Sequence, residues 1–261
     1  MVELRSACIA AKDGSEHHAR EVLKLLLELG QPAVIEKHTA EILGEEGVDL
    51  ERAEADFLIT IGGDGTILRA LQRTTLPIFG INAGGRGFLT ECDLTDFDER
   101  LRRVFRGEAS IEERSKISTD LPGMPDATNE FFLRRVNKPI RFSVSIDGDL
   151  IREERGDGVM VVTPTGSTSY SLGLGGPILD LGVEAFLINF VAPFDPSTRP
   201  VVVPSSKEIE LELEEWEAFL DCDGESRIRV ERGSVTFKKS LVRAKFVRLG
   251  HDFYERVREK L

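Results

Sequence analysis

The chain has 261 residues, 41% of them hydrophobic and 31% charged, with a net charge of −12 at neutral pH. That length allows one large domain or two ordinary ones, and the balance is that of a soluble globular protein with enough apolar material for a core. The acidity argues against a nucleic-acid binder that relies on a broad basic surface, and an anionic ligand would have to be drawn in by a local patch.

The first half reads as alternating strands and helices. Residues 6–11 (SACIAA) are a short buried strand. Ser15 offers an N-cap to a helix with Ala19, Val22, Leu23 and Leu26 on its apolar face, closed by Gly30. Residues 32–38 (PAVIEKH), 56–61 (DFLITI) and 77–82 (PIFGIN) are three more strands. A short helix runs from Thr66 to Thr74, and another spans 95–105 with Thr95 as its cap. This rhythm predicts a parallel sheet with helices packed over it.

After about residue 117 the pattern turns to strands. Residues 141–154 alternate around Asp147-Gly148, a dipeptide suited to a type I′ hairpin. VMVVTP, FLINFVAP, RPVVVP, IELELEE, RIRVERG and VTFKK follow as short strands. The tail from Phe246 reads as helical, with Phe253, Val257 and Leu261 four apart, and is expected to pack back on the first domain. The expected organisation is therefore an α/β domain over 1–116, a β-rich domain over 117–240 and a returning segment over 241–261. Cys8, Cys92 and Cys222 stand far apart and read as small buried hydrophobes, not as zinc ligands or a disulfide framework. The start of the chain lacks a signal-peptide pattern, and the apolar run 185–194 is too short to span a bilayer, which points to a cytoplasmic protein without a membrane partner.

Four stretches carry chemistry. In LITIGGDGTIL (58–68), Gly62, Gly63 and Gly65 let the backbone turn sharply at the carboxyl end of a buried strand, where open α/β sheets bind ligands. The N–H groups that open the following helix, near Thr66, can face phosphate. Asp64 then has its business with a hydroxyl, as general base, or with a magnesium ion; a plain helix cap is the bland alternative. NAGGRGFL (82–89) is a second glycine turn, with Arg86 and Phe88. TNEFF (128–132) sets Asn129, donor and acceptor, beside Glu130, an acceptor, a pair suited to vicinal ribose hydroxyls. From Thr163 to Ser171 seven of nine side chains carry hydroxyls, which suits a neutral hydrogen-bonding ligand such as adenine and ribose.

In that order, GGDGT, the Asn-Glu pair, TPTG-S-T-x-Y and GGP resemble the NAD kinase family over essentially the whole chain. The resemblance implies transfer of a phosphoryl group from ATP, or from polyphosphate, to the 2′-hydroxyl of the adenosine ribose of NAD, with Mg²⁺ bridging the donor phosphates. It implies that Asp64 is base or metal ligand, with Gly63, Gly65, Thr66 and Arg86 in the nucleotide-binding loops. Phe88 would line the site, Asn129 and Glu130 would hold ribose hydroxyls and adenine, and Thr165, Thr168, Ser169 and Tyr170 belong to the adenine-binding stretch. Arg155 and Asp157 match positions supplied by a neighbouring subunit, so a homo-oligomer, dimer or tetramer, with a shared site is expected. Two positions depart from the pattern: Gly173, where many members have serine, and Glu225, where Asp-Gly-Gln is common. A lipid kinase of the diacylglycerol or sphingosine type shares the GGDGT-like loop but leaves the Asn-Glu pair and the TPTGSTSY loop unexplained. A non-catalytic NADP sensor keeping the same pocket is the other alternative.

Overall fold

The structure, a computed structural model, describes residues 2–85, 87–215, 217–250 and 253–260. The chain divides into two compact units, residues 1–113 with 244–261, and residues 114–243.

The first unit contains β1 (Ala7–Ala11), α1 (Glu16–Glu28), β2 (Ala33–Ile35), α2 (Lys37–Leu43), β3 (Phe57–Gly62), α3 (Asp64–Leu71), β4 (Ile78–Asn82), β5 (Cys92–Asp93), α4 (Phe97–Phe105) and β6 (Ser110–Arg114). Two late elements, β18 (Ala244–Arg248) and α6 (Phe253–Lys260), belong to it as well. Its sheet has the order β2-β1-β3-β4-β18-β6, with β5 also on β4. The pairs β1–β2, β1–β3, β3–β4, β4–β5 and β4–β18 are parallel. β1 and β3 are buried along their whole length, which is why they read as continuous apolar runs instead of alternating ones. The first unit is thus α/β with a largely parallel sheet, and the C-terminal segment returns to it through β18.

Several local expectations are corrected. PAVIEKH is a strand only to Ile35; Glu36 then turns and caps α2, its carboxylate accepting Thr39 N–H at 3.1 Å. Ser15 stands at the start of α1 but makes no side-chain capping bond. Asp96, not Thr95, occupies the N-cap of α4. α3 begins at Asp64, two residues before the expected start, so the acid lies in the helix's first turn. Residues 244–248 form a strand where a helical tail was expected from Phe246; buried on both faces in the sheet, this strand shows no period-two alternation to separate it from a helix. Phe253 and Val257 are half-buried on α6, while Leu261 lies outside the described residues.

The second unit contains β7 (Ile117–Thr119), β8 (Glu130–Arg135), β9 (Ile140–Ile146), β10 (Asp149–Gly156), β11 (Gly158–Val162), the one-turn α5 (Tyr170–Gly173), β12 (Ala185–Val191), β13 (Val201–Pro204), β14 (Ile209–Glu215), β15 (Ala218–Cys222), β16 (Ser226–Val230) and β17 (Gly233–Lys239). One sheet runs β10-β9-β14-β17-β7 and the other β13-β12-β11-β8-β15-β16. Phe142, Leu211, Leu213 and Phe237 from the first sheet meet Phe131, Val159, Phe186 and Leu220 from the second in one buried cluster. Asp147 and Gly148 both have positive φ, 49° and 85°, as the expected β9–β10 hairpin requires. A smaller cluster on the other face of β11 and β12 collects Met160, Val162, Leu187 and Leu179 with Phe132 and Leu174 beside it. Among the described residues no helix is long and apolar enough to cross a membrane.

Candidate functional site

In the first unit, the glycine turn after β3 delivers Gly63 to the N-cap of α3 and Asp64 to its first position, with no side-chain cap bond on that helix end. Asp64 does not cap its own helix. Its Oδ2 accepts Phe88 N–H at 2.7 Å and its Oδ1 accepts Leu89 N–H at 3.0 Å. A carboxylate has about four lone-pair positions, so two remain for an alcohol proton or a cation. Gly87 lies against this arrangement: a Cβ there would stand 2.3 Å from Thr90 Oγ1 and 3.0 Å from Asp64 Oδ1. Gly65 is exposed, Thr66 and Phe88 are half-buried, and Arg86 lies outside the described residues.

Beside the same helix is a cavity of about 640 Å³ lined by Lys12 and Asp13 after β1, by Glu36 and His38, and by Thr66, Arg69 and Arg73 from α3 and the turn after it. Arg73 is bound by Glu51, at 2.7 Å. Among the described residues no three His, Cys, Asp or Glu side chains cluster as a metal cage. A hard divalent cation beside Asp64 would therefore need oxygens from outside the chain, such as those of a bound phosphate, to complete its shell.

The second unit gathers the Asn-Glu pair and the hydroxyl loop. Asn129 Oδ1, Glu130 Oε2 and Thr128 Oγ1 are buried with no hydrogen-bond partner. Buried polar atoms are rarely left so unless a ligand or water completes them. Their backbone is fixed from below by Asp223, whose carboxylate accepts N–H from Thr128, Asn129 and Glu130 at 2.8, 2.7 and 3.1 Å. Asp223 holds a positive φ of 54° in the turn between β15 and β16. Burial pushes its carboxyl up to about 6, against the pull of those three amides and of Lys116. Burial, with the like charge of Asp223, pushes Glu130 further, to about 8. A carboxyl that stays protonated at neutral pH presents an O–H donor as well as an acceptor.

Glu130 opens on a cavity of about 320 Å³ lined also by Phe132, Arg134, Tyr170, Asp221, Gly224 and Arg227. The rings of Phe132 and Tyr170 lie 5.8 Å apart, tilted by 49°. Arg134 and Arg227 share the carboxylate of Asp221, at 2.7 and 2.5 Å, which leaves one positive charge in excess at the rim. The cavity therefore offers ring surfaces, unsaturated acceptors and a local cation in a protein that is acidic overall.

The hydroxyl loop is more structural than its composition suggests. Thr163 Oγ1 donates to Thr128 O at 2.6 Å, Ser167 Oγ to Pro164 O at 2.7 Å and Thr168 Oγ1 to Thr165 O at 3.1 Å. Asn189 Nδ2 donates to Ser171 Oγ at 2.9 Å. Thr165 is buried, Ser169 half-buried and Tyr170 exposed. Gly166 touches the Asn-Glu backbone: a Cβ there would stand 2.2 Å from Asn129 O. Arg155 is exposed, with its guanidinium 4.9 Å from the centre of the Phe194 ring, and Asp157 pairs with Arg135 at 2.7 Å. A Cβ at Gly173 would meet nothing within 4 Å, so a serine would fit there. Asp223, Arg134, Asp221 and Arg227 do not stand out as site residues in the sequence; the one signal is the Asp-Gly turn at 223–224. The three thiols are free, buried and pushed up by burial, with no disulfide among them.

Two family models match, the ATP-NAD kinase N-terminal domain over residues 8–109 and the ATP-NAD kinase C-terminal domain over residues 129–249. The chain is 40% identical to an NAD kinase of Methanothermobacter thermautotrophicus, over 99% of this chain and 96% of that one. It is 42% identical to an NAD kinase of Thermococcus gammatolerans, over 91% of each. Among solved structures, an NAD kinase from Archaeoglobus fulgidus in complex with ATP superposes with a TM-score of 0.80 at 28% identity, covering 97% of this chain and 96% of that one. Yeast NADH kinase complexed with NADH gives 0.89 at 23% identity, over 100% of this chain and 88% of that one, a likeness of fold.

Proposed function

We propose a reaction for a chain that belongs to the NAD kinase family: transfer of the γ-phosphoryl group of ATP to the 2′-hydroxyl of the adenosine ribose of NAD, giving NADP and ADP. The observation that carries this reading is Asp64, an acid at the head of a glycine turn, oriented by two backbone amides and left with free lone pairs. The ribose 2′-oxygen forms the new bond to phosphorus, and the bond from phosphorus to the β,γ-bridging oxygen breaks. ADP leaves with that electron pair, and the ribose proton passes late to Asp64. An alcohol is far too weak an acid for a carboxylate to ionise it beforehand, but a carboxylate can take the proton once the transition state has acidified it.

Donor phosphates are assigned to the neighbourhood of α3, where Lys12, Thr66 and Arg69 line the larger cavity. Asp64 would be the acid available to a magnesium ion carried in with the donor, and such an ion would supply neutralisation of the phosphate charge. ATP is preferred here over polyphosphate as donor, on the strength of the ATP complex of the Archaeoglobus relative. In the second unit, Asn129 and the protonated Glu130 are assigned to ribose hydroxyls and adenine, and the Phe132–Tyr170 ring pair to the base. The exposed Arg155 and the half-buried Asp157 are assigned to a neighbouring copy's site in a homo-oligomer, working in the cytoplasm on its NAD pool.

The test is NADP formation from NAD, ATP and Mg²⁺, read with a dehydrogenase blind to NAD, for the wild type and Asp64→Asn. Loss of about two orders of magnitude or more in the variant supports the role of Asp64. A wild type that binds NADP yet forms none from either donor would refute the reaction.

A further inference from the structure

The segment Phe88–Thr90 is held on both of its backbone edges. Its amides hold Asp64, as described, through Phe88 and Leu89. Its carbonyls are gripped by two arginines from the last part of the chain. Arg256 in α6 donates through Nη1 to Phe88 O at 2.7 Å and to Thr90 O at 2.5 Å. Arg248, the last residue of β18, donates through Nη1 to Leu89 O at 3.0 Å, to Thr90 O at 3.4 Å and to Glu91 Oε2 at 3.0 Å. The Glu91 side chain is fully buried, accepts Leu249 N–H at 2.8 Å, and has Arg256 3.7 Å away.

We propose that Arg256 is a positioning residue for phosphoryl transfer: by gripping the carbonyls of Phe88 and Thr90 it fixes the two amides that aim Asp64. The inference rests on the reaction assigned above. Asp64 is only as well aimed as the peptide planes that bind it. Those planes follow a turn in which Gly84 and Gly85 have φ of 125° and 84° and open space where a Cβ would stand; Asn82 Nδ2 holds the Gly85 carbonyl at 2.8 Å, but that bond ends two residues short of the Phe88–Thr90 strap. One guanidinium bonded to two carbonyls resists pivoting of the strap, because the two N–H groups of its Nη1 are fixed in the guanidinium plane. Misplacing a reacting group by about 1 Å is enough to lose about a hundredfold in rate. Arg248 grips the same strap but is also the nearer cation to the buried Glu91, at 3.0 Å against 3.7 Å for Arg256, so its removal would disturb the fold as well as the strap.

The experiment uses Arg256→Met and Arg256→Lys, each alone and combined with Asp64→Asn, in the full chain. Arg256→Met is expected to lower kcat by about ten- to a hundredfold, with KM for NAD and for ATP within about threefold. Lysine should restore part of the loss, since an ammonium can hold a carbonyl but its N–H groups rotate instead of lying fixed in a plane. In the Asp64→Asn background, where there is no base left to aim, Arg256→Met should lower the residual rate no further. Amide hydrogen exchange over residues 87–90 should rise in Arg256→Met while β1 and β3 keep their protection. Equal fold-losses in both backgrounds, a loss confined to KM, or unchanged exchange at 87–90 would overturn the proposal. A wild type that makes no NADP overturns the reaction and this role with it, whereas raised exchange with unchanged kcat overturns the role alone.

Discussion

Glutamine in place of Glu130 should change how the stability of the protein depends on pH. In the unfolded chain this carboxyl ionises at its ordinary value of 4.5, whereas in the folded protein burial and Asp223 raise it to about 8. Over the window between those values the folded state binds more protons than the unfolded one, so stability is greatest at low pH and falls as pH rises. A difference of one proton is worth about 1.4 kcal/mol per pH unit, so between about pH 6 and pH 7.5 Glu130 alone removes about 2 kcal/mol. Asp223, raised from 3.8 to about 6, adds a loss in the same direction, mostly below that interval. Glutamine approximates the protonated acid in size and in carrying both donor and acceptor, and it has no proton to lose. Urea unfolding from about pH 5.5 to 8, followed by the fluorescence of the chain's single tryptophan, should show the variant gaining about 2 kcal/mol on the wild type between pH 6 and 7.5. Parallel stability curves for the two proteins would refute the argument that burial keeps Glu130 neutral.

Gly166→Ala drives a Cβ to 2.2 Å from the Asn129 carbonyl oxygen and 2.6 Å from its carbon. Backbone cannot yield as a side-chain tip can, so a loss of about 1–3 kcal/mol is expected in urea, together with a raised KM for NAD. Gly87→Ala presses on Thr90 Oγ1 and Asp64 Oδ1 and should lower kcat by about tenfold or more, with KM for NAD little changed, in the same NADP assay. Phe131→Ala empties the centre of the second unit's core, where its ring lies 5.2 Å from that of Phe237, and should cost about 3–5 kcal/mol of unfolding free energy.

The α/β character of the first unit was legible because β1, β3 and β4 are continuous apolar runs with glycine or helix signals between them. The β9–β10 hairpin was legible because Asp147-Gly148 encodes its own turn. α2 was not, because Val34 and Ile35 run on into Glu36, and only the capping bond from Thr39 shows the chain reversing there. β8 stayed hidden behind the Asn-Glu pair, whose polar character drew attention from the apolar Phe131 and Leu133 that follow. In the site, residue types were readable and their partners were not. Nothing local to Asp64 indicates that amides 24 and 25 positions away bind it. Asp223 likewise reaches back across 93–95 positions. In the hydroxyl loop, composition could not separate Thr163 and Ser167, which bond their own backbone surroundings, from the exposed Tyr170.

β18 lies between β4 and β6, with Phe246 opposite Ile78. A ribosome delivers β4 early and β18 only after the whole of residues 114–243 has emerged. Until then the edge of β4 around Ile78 lacks its neighbour, and β6 has no strand to join. Unpaired parallel edges of this kind invite pairing with other nascent chains, and closure across so long an insertion is slow. The strap over Asp64 also waits for Arg248 and Arg256. A partly synthesised chain would therefore carry the glycine turn and the acid without the grip that aims them, and Asp64 would be fully aimed only when synthesis had passed α6.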